Sequence, residues 1–538
     1  MIPKIFTTED EARLKLLEGA KIVFDAVKST YSPKSGNVGI ELKWGSPVAS
    51  HDGVTVARSL GHRDGRINTG IEIVKEASEQ TNRTAGDGTS ATVILTYKMF
   101  ERAAKLVAAG YNAMELARGM ERAAGDIIAS INTVKKDVTE ADLRHIATVS
   151  SGSEAIGALI ANTIIKVGEG SGITIEESHT PNITAKIIKG FHFGKGVDNQ
   201  YQFNDYDMRR AAYDNCWILA IEKSLKDVSD VKPILTWLNK QENKNMLIVG
   251  NVSGPALEVL IANKLNGFAN IVSVAPISIG EMTSEFLADV AAITGGQVIP
   301  KAFNLDDIGP DQLGFAARIV STESTTTIFD GAVDSEGKKA IAERVENLKK
   351  QIKSSKDAAL VERLEGRVAK LTGKIGVIRV GAPTETNRRE KLLRVEDAVM
   401  AVRAAREDGY VPGGATTLLR IGANAVLHKV EATDEHVGYS LVFQAIQDPF
   451  KILLNNTGIE DIGYHKYAVL KAKDGFGYNV RDLTEEPINL YEAGIIDPAK
   501  VVKQAVQNAV SNAAVLVTMN GLVTLDIDEI RKDRVIED

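Results

Sequence analysis

From Glu11 to Lys28 the apolar residues Leu16, Ala20, Val23, Phe24 and Val27 recur at helical spacing, so a long helix there has one apolar and one charged face. Turn-forming residues follow in STYSPKSGN, residues 29–37. Short β-like runs come next, VGIEL at 38–42 and VTVA at 54–57, around HDG. A second helix is predicted to open through TAGDGTSATVIL and to stop near Gly110, which can take the left-handed cap conformation. Asn112 and Glu115 then stand at capping-box spacing before an alanine-rich helix that runs to about Ile131. This first segment reads as mainly helical.

The pattern then changes. ITIEES (173–178), ITAKII (183–188), CWILAI (216–221), NMLIVG (245–250) and NIVSVAP (270–276) are short, β-branched and separated by glycine, proline or helical stretches, which predicts an α/β domain. Residues 338–372 return to helix. Ile341, Val345, Leu348 and Ile352 form one apolar row and Leu360, Leu364, Val368 and Leu371 a second, separated by SSKD, so an antiparallel helical hairpin is expected. From about 385 the chain is helical again and ends in a long helix from Asp497 to Met519, with Asp-Pro as cap and first-turn proline. Helical character at both ends suggests one domain built from the two, with the α/β middle inserted.

Composition narrows the function. The 538 residues are enough for several domains. A net charge of −7 and a pI near 5.8 disfavour a general nucleic-acid binder, which needs a basic face. The single cysteine, Cys216, excludes an internal disulfide framework and suits a reducing compartment. No apolar leader or bilayer-length run is found, so a soluble cytoplasmic protein with no membrane partner is expected.

Gly86-Asp87-Gly88-Thr89-Ser90 leads straight into an apolar helix, where backbone amides and the helix N-terminus favour an anion such as phosphate. Asp87 in such a loop makes sense as a ligand for the magnesium that accompanies a nucleotide. An Asp-Gly turn followed by a Thr or Ser cap remains an equal alternative. Asp52 in HDGVTVA and Asp397 in RVEDAVMAVRAA could orient or deprotonate a water attacking a phosphoryl group, although isolated aspartates also serve as surface or cap residues. The absence of GxxxxGK[ST] disfavours an ordinary P-loop nucleotidase, and no zinc-protease or nucleophile-elbow pattern occurs.

The order of motifs is more specific than any one of them. SPKSGNV, HDGVTVAR, AGDGTSATV, VAAGYNAMELARGM, DGYVPGGA, GYNV and GIIDPAKV occur in that sequence across nearly the whole chain, with ITGGQVI, STTTIFDGA and LLRVEDAV between them. Together they resemble the group I chaperonins, the GroEL type. The resemblance implies a helical equatorial ATP-binding domain from residues 1–134 and 409–538, and a small α/β intermediate hinge domain from 135–189 and 375–408. An inserted α/β apical domain would span 190–374 and bind client and cochaperonin. Carried over by position, Thr30, Tyr31, Ser32 and Pro33 would cradle phosphate and nucleotide, with Gly86, Gly88, Thr89 and Ser90 on the phosphates and Asp87 on Mg2+. Asp52 and Asp397 would be catalytic, positioning the attacking water. Gly414, Asn479 and Val480 would line the adenine pocket, and Asp497 would reach the ribose while also able to cap its helix. ATP and Mg2+ are the implied cofactors, with K+ a further candidate. The implied partners are unfolded client proteins, a GroES-type lid and other copies in a seven-membered ring stacked in two.

The sequence departs from that family in several places. The phosphate turn reads YSPKSGN instead of LGPKGRN, with Ser32 and Ser35 in place of glycines, and His51 replaces a lysine that would meet nucleotide. Val197, Tyr201, Leu235, Leu257 and Ile261 are the expected client-binding residues, but Gln202, Lys232 and Ala262 stand where larger apolar groups are usual. ISIGEMTSE replaces a GFGDRR-like segment, and the chain ends in DRVIED without a Gly-Met-rich tail. A divergent ring-forming scaffold with reduced folding activity is therefore the second reading.

Overall fold

The computed structural model describes residues 4–34, 36–41, 47–168, 172–178, 180–206, 208–277, 281–331, 335–354, 358–425, 433–482 and 486–525. Ser35, residues 278–280 of ISIGEMTSE, most of SSKD and the DRVIED end lie outside the described residues.

In chain order the helices begin with α1 (Glu9–Lys28), α2 (Gly53–Arg58), α3 (Gly65–Ala85), α4 (Thr89–Ala108), α5 (Ala113–Val134), α6 (Glu140–Ser151) and α7 (Glu154–Val167). They continue with α8 (Val228–Asn239), α9 (Gly254–Leu265), α10 (Glu281–Thr294), α11 (Ser335–Ser354) and α12 (Ala358–Leu371). The last are α13 (Glu385–Asp408), α14 (Thr416–Asn424), α15 (Asp434–Ala445), α16 (Asp448–Asn455), α17 (Ile462–Lys471) and α18 (Ala499–Thr518). The strands are β1 (Lys4–Thr8), β2 (Val38–Ile40), β3 (Val48–Ser50), β4 (Ile173–Ser178), β5 (Thr184–Phe193) and β6 (Arg210–Ile221). Then come β7 (Asn245–Val249), β8 (Asn270–Val274), β9 (Val298–Ile299), β10 (Gly314–Thr322), β11 (Thr326–Gly331) and β12 (Lys374–Gly381). β13 (Tyr410–Pro412), β14 (Phe476–Gly477), β15 (Ile488–Asn489), β16 (Ile496–Pro498) and β17 (Gly521–Leu525) complete the set.

The chain divides into two compact units. The first comprises Met1–Ala161, Glu177–Ile183 and Val380–Asp538, and the second Asn162–Glu176 and Thr184–Arg379. In the first, the apolar face of α1 (Leu16, Val23, Val27) meets Ile71 of α3, Ile94 and Phe100 of α4, Met120 of α5 and Val510 and Leu516 of α18. Burying each such side chain is worth about 1.5–3 kcal/mol. Helices α5 and α15 cross so closely that a Cβ on Gly119 would stand 1.8 Å from the Glu435 carbonyl oxygen, and one on Gly438 2.1 Å from that of Leu116. The two chain ends close this unit together, since β1 pairs antiparallel with β17 from Lys4↔Leu525 to Thr8↔Gly521.

The second unit is built on a nine-stranded mixed sheet in the order β4-β12-β5-β11-β10-β6-β7-β8, with β9 beside β6. β6, β7 and β8 are parallel and covered on both faces, which explains their nearly continuous apolar runs. Leu219, Met246, Ile248 and Ile271 face α8 and α9, while Ile218, Leu247, Val249 and Val272 face α10 and the α11–α12 hairpin. All eight hairpin residues anticipated from periodicity pack into that second core. Buried Asp289 of α10 accepts from Arg344 Nε of α11 at 2.7 Å and from Arg367 Nε and Nη2 of α12 at 2.9 and 3.0 Å. A carboxylate placed so deep needs those partners. Cys216 is buried in the same core, and burial pushes its thiol up, away from reactivity.

Several local expectations change. VTVA is not strand but the body of α2, because Asp52 caps a helix there and overrides β propensity. α3 was not anticipated from periodicity: much of its buried face is small or polar, with Gly70, Ala77, Ser78, Thr81 and Ala85. Asn112 caps α5 as expected, through Met114 N at 2.9 Å and Glu115 N at 3.3 Å. Its own amide, however, goes to Asp434 Oδ2 at 2.7 Å and not to Glu115. Asp497 does not cap α18. It lies in β16 opposite Val411, and Pro498 holds the cap position.

Candidate functional site

After α1 the chain turns back on itself through Thr30 N to Val27 O (2.9 Å), Tyr31 N to Lys28 O (3.2 Å) and Ser32 N to Thr30 O (3.0 Å). Asn456 at the end of α16 pins this turn by donating to the carbonyls of Lys28 (2.7 Å) and Tyr31 (3.1 Å). The Thr30 hydroxyl lies 3.2 Å from that of Ser90 in the first turn of α4. Pro33 is exposed. The carboxylate of Asp52 accepts from Val54 N at 3.1 Å, Thr55 N at 2.9 Å and the Thr55 hydroxyl at 2.6 Å. α2 also approaches α4 so closely that a Cβ on Gly53 would stand 2.2 Å from Ser90 Oγ.

Between α3 and α4, Gly86 (φ 72°) and Gly88 (φ 82°) are both left-handed. Side chains there would strike Met400 of α13 and Val501 of α18. Asp87, between them, accepts from Gly88 N at 2.5 Å and from the Ser150 hydroxyl of α6 at 3.3 Å. α4 starts with no side-chain cap, so its first amides are open to an anion or water.

The acids of this site act on one another. Burial, followed by the charges of Asp52, Asp87 and Glu396, pushes Asp397 well above the ordinary carboxylate range, against the opposing effect of Arg394. Burial also raises Asp87, with Asp52 adding to it and the Gly88 amide and Ser150 opposing. Asp497 is pushed up to about 7 by burial and by Asp87. Tyr31 is raised by burial and by Asp497 and Asp87. His51 is held below its usual range by burial with help from Arg394, against the Gly36 backbone, Glu390 and Asp52. Carboxylates set so close, with Asp87, Asp397 and Asp497 each raised in part by a neighbouring acid, make a site that favours a cation. Among the described residues no group of three or more His, Cys, Asp or Glu side chains could hold a metal alone. The donor set fits a magnesium ion anchored by Asp87 and completed by phosphate oxygens and water, as that ion prefers.

On the other side, Gly413 stands so near Asp497 that a Cβ there would be 3.0 Å from its Oδ1. Gly414 (φ 62°) and Ala415 (φ 55°) lead into α14, and a Cβ on Gly414 would lie 3.8 Å from Tyr478 O. Val480 is buried with Tyr478, Leu419 and Leu453. Asn479 binds its own turn, accepting from Arg481 N at 3.0 Å and donating to Asp482 at 2.6 Å. One unit thus brings together Thr30–Ser32, His51, Asp52, Gly86–Ser90, Asp397 and Asp497, and sets Gly414 beside the Tyr478–Val480 turn. Ser150 and Asn456 were not anticipated, and no local motif marks either.

A pH effect follows from Asp497. Its folded value lies above its unfolded one, so the unfolded chain loses this proton first as pH rises, and stability falls between about pH 4 and 7. In Asp497→Asn that part of the decline should disappear. Urea unfolding of the nucleotide-free protein at pH 5 and pH 8 measures it.

In the second unit Tyr201 is 52% exposed, Leu235 of α8 and Leu257 of α9 are half-buried where those helices pack, and Ile261 of α9 is half-buried. Val197 leans on the core instead, its amide bonded to Thr322 O at 2.9 Å. Gln202 is fully buried and donates to Ser273 Oγ at 3.0 Å, so it is not part of an exposed face. Lys232 and Ala262 are exposed.

A model described as the TCP-1/cpn60 chaperonin family matches residues 23–526. Among solved structures, the chain is similar to the chaperonin gp146 from bacteriophage EL 2 of Pseudomonas aeruginosa, crystallised in the presence of ATP-BeFx. One crystal form gives a TM-score of 0.70 at 18% identity, covering 96% of this chain and 99% of that one. A second form gives 0.61 at 18% identity, covering 96% and 98%. No helix among the described residues is long and apolar enough to cross a membrane.

Proposed function

Because the chain belongs to the TCP-1/cpn60 chaperonin family, we propose that it is an ATP-hydrolysing subunit of group I type that encloses non-native proteins and assists their folding. The observation that carries this reading is the convergence of the uncapped start of α4, the left-handed Gly86 and Gly88, and Asp52 beside the raised carboxyls of Asp87 and Asp397. A structural relative crystallised with ATP-BeFx supports it.

Thr30–Pro33 and Gly86–Ser90 hold the phosphates, Asp87 holds Mg2+, Gly414, Asn479 and Val480 line the base pocket, and Asp497 meets the ribose. Bound Mg2+ supplies positive charge against the phosphates. Asp52 orients the attacking water, and Asp397 accepts its proton with a carboxyl raised above its ordinary range by burial and the neighbouring acids. Nucleotide can drive motion only by binding one arrangement more tightly than another. The equatorial, intermediate and apical boundaries given above, a GroES-type lid, a cytoplasmic location and two stacked seven-membered rings belong to this reading. Assembly is supported by Phe6, Val523 and Leu525, which leave an exposed apolar strip on one face of the two-stranded β1–β17 sheet.

Exposed Lys232 on α8 is costly to desolvate against an apolar client and favours a second reading, a ring-forming scaffold with reduced folding activity. Recovery of a chemically denatured client enzyme, with and without Mg-ATP and a cochaperonin, separates the two. Recovery that requires ATP is expected, whereas turnover without recovery would favour the scaffold.

A further inference from the structure

Two guanidinium groups meet at the C-terminal end of α6. Arg481, exposed just beyond the GYNV loop, donates from Nη2 to the carbonyl of Gly152 at 2.9 Å. Arg394 comes from α13, three residues before Asp397, and pairs with Glu390. A Cβ built on Gly152 would stand 3.2 Å from Arg394 Nη1 and 3.5 Å from Arg481 Nη2, so both side chains reach the same spot. Two residues earlier, Ser150 holds Asp87. Arg394 also acts electrostatically on His51 and on Asp397.

A helix C-terminus favours a cation, which accounts for one arginine. Glu390 balances Arg394, whereas Arg481 has no acid paired with it among the described residues, so the second charge at this point is one that a shared anion would balance. Planar guanidiniums bind phosphate oxygens in a bidentate fork, and two of them match a terminal phosphate better than a bridging one.

We propose that Arg394 and Arg481 together read the γ-phosphate of a bound nucleoside triphosphate, Arg481 doing so from where it ties the base-side loop to α6. This inference rests on the nucleotide reading above and names the groups that tell triphosphate from diphosphate. Mere capping of α6 would be indifferent to the number of phosphates.

Titration calorimetry of the full chain with magnesium complexes of ADP and of a non-hydrolysable ATP analogue tests it, in the wild type, Arg481→Gln, Arg481→Lys and Arg394→Gln. The wild type should prefer the triphosphate, and Arg481→Gln should lose about tenfold of that preference while ADP affinity stays within about twofold. Arg481→Lys should keep part of the preference, because the charge remains without the fork. Equal weakening of both nucleotides, or no weakening, in the glutamine variant would overturn the proposal while leaving the nucleotide site intact. A wild type that bound neither nucleotide would overturn the site assignment and this inference with it. Arg481 is exposed, so its variants should melt with the parent, and that arm stands even if Arg394→Gln loosens α13.

Discussion

Replacing Asp397 with alanine should slow ATP hydrolysis by about 10²- to 10⁴-fold while leaving nucleotide affinity within a few-fold of the parent. Asp397 sits on α13 within the fields of Asp52 and Asp87, whereas the groups assigned to grip the phosphates lie on the Thr30–Pro33 turn and the Gly86–Ser90 loop. Removing it deletes the proton acceptor and relieves like-charge repulsion, so binding has little to lose. The same environment gives a pH signature. The carboxyl is raised above its ordinary range and works only when ionised, so the parent rate should climb as pH rises through that value, and the climb should vanish in the variant. Steady-state turnover and nucleotide titration across pH 5–9 provide the check. An alanine variant that turned over at the parental rate would remove Asp397 from the mechanism.

Gly119→Leu is expected to be severely damaging to the first unit, costing about 3 kcal/mol or more. The obstacle to a new side chain is the Glu435 carbonyl oxygen 1.8 Å from the Cβ position, with Tyr439 N at 2.7 Å, and backbone cannot step aside as a flexible side chain would. α15 is also tied to α5 by the ion pair of Arg122 with Glu435 at 2.8 Å and by Tyr439 donating to Asp126 at 2.9 Å, so separating the helices forfeits those contacts as well. Gly125 on the same helix has nothing within 4 Å of its Cβ position and serves as the control. Gly125→Leu should leave the urea midpoint unchanged or raise it slightly, since glycine is a poor helix former. Equal loss in the two variants would show that helix propensity, and not the close crossing, decides the outcome.

Elements with a strong apolar period were legible in the sequence, and the α11–α12 hairpin is the clearest case, with all eight of its apolar positions in one core. α3 was not, because helix packing at close range uses small residues that carry little hydropathy signal. VTVA misled because four β-branched and small residues cannot announce that the aspartate before them will cap a helix. At the site, the Gly-Asp-Gly loop was readable because its conformational demands are local. Ser150, Asn456 and Arg481 were not, because each matters through a partner 63, more than 420 or 329 positions away. Gln202 shows the converse limit: a position assigned to an exposed face by likeness is buried here against Ser273.

The pairing of β1 with β17 bears on how the chain folds as it is made. α1 emerges early, but α18, which completes its core, follows some 470 residues later, a delay on the order of a minute at ordinary rates of synthesis. The stretch from Thr184 to Arg379 is contiguous apart from one short earlier segment and can close in the meantime. Throughout that interval Leu16, Val23 and Ile71 have only part of their burial. The nascent chain of this chaperonin-family protein is thereby exposed to the same hazard of premature association that its family exists to relieve in others.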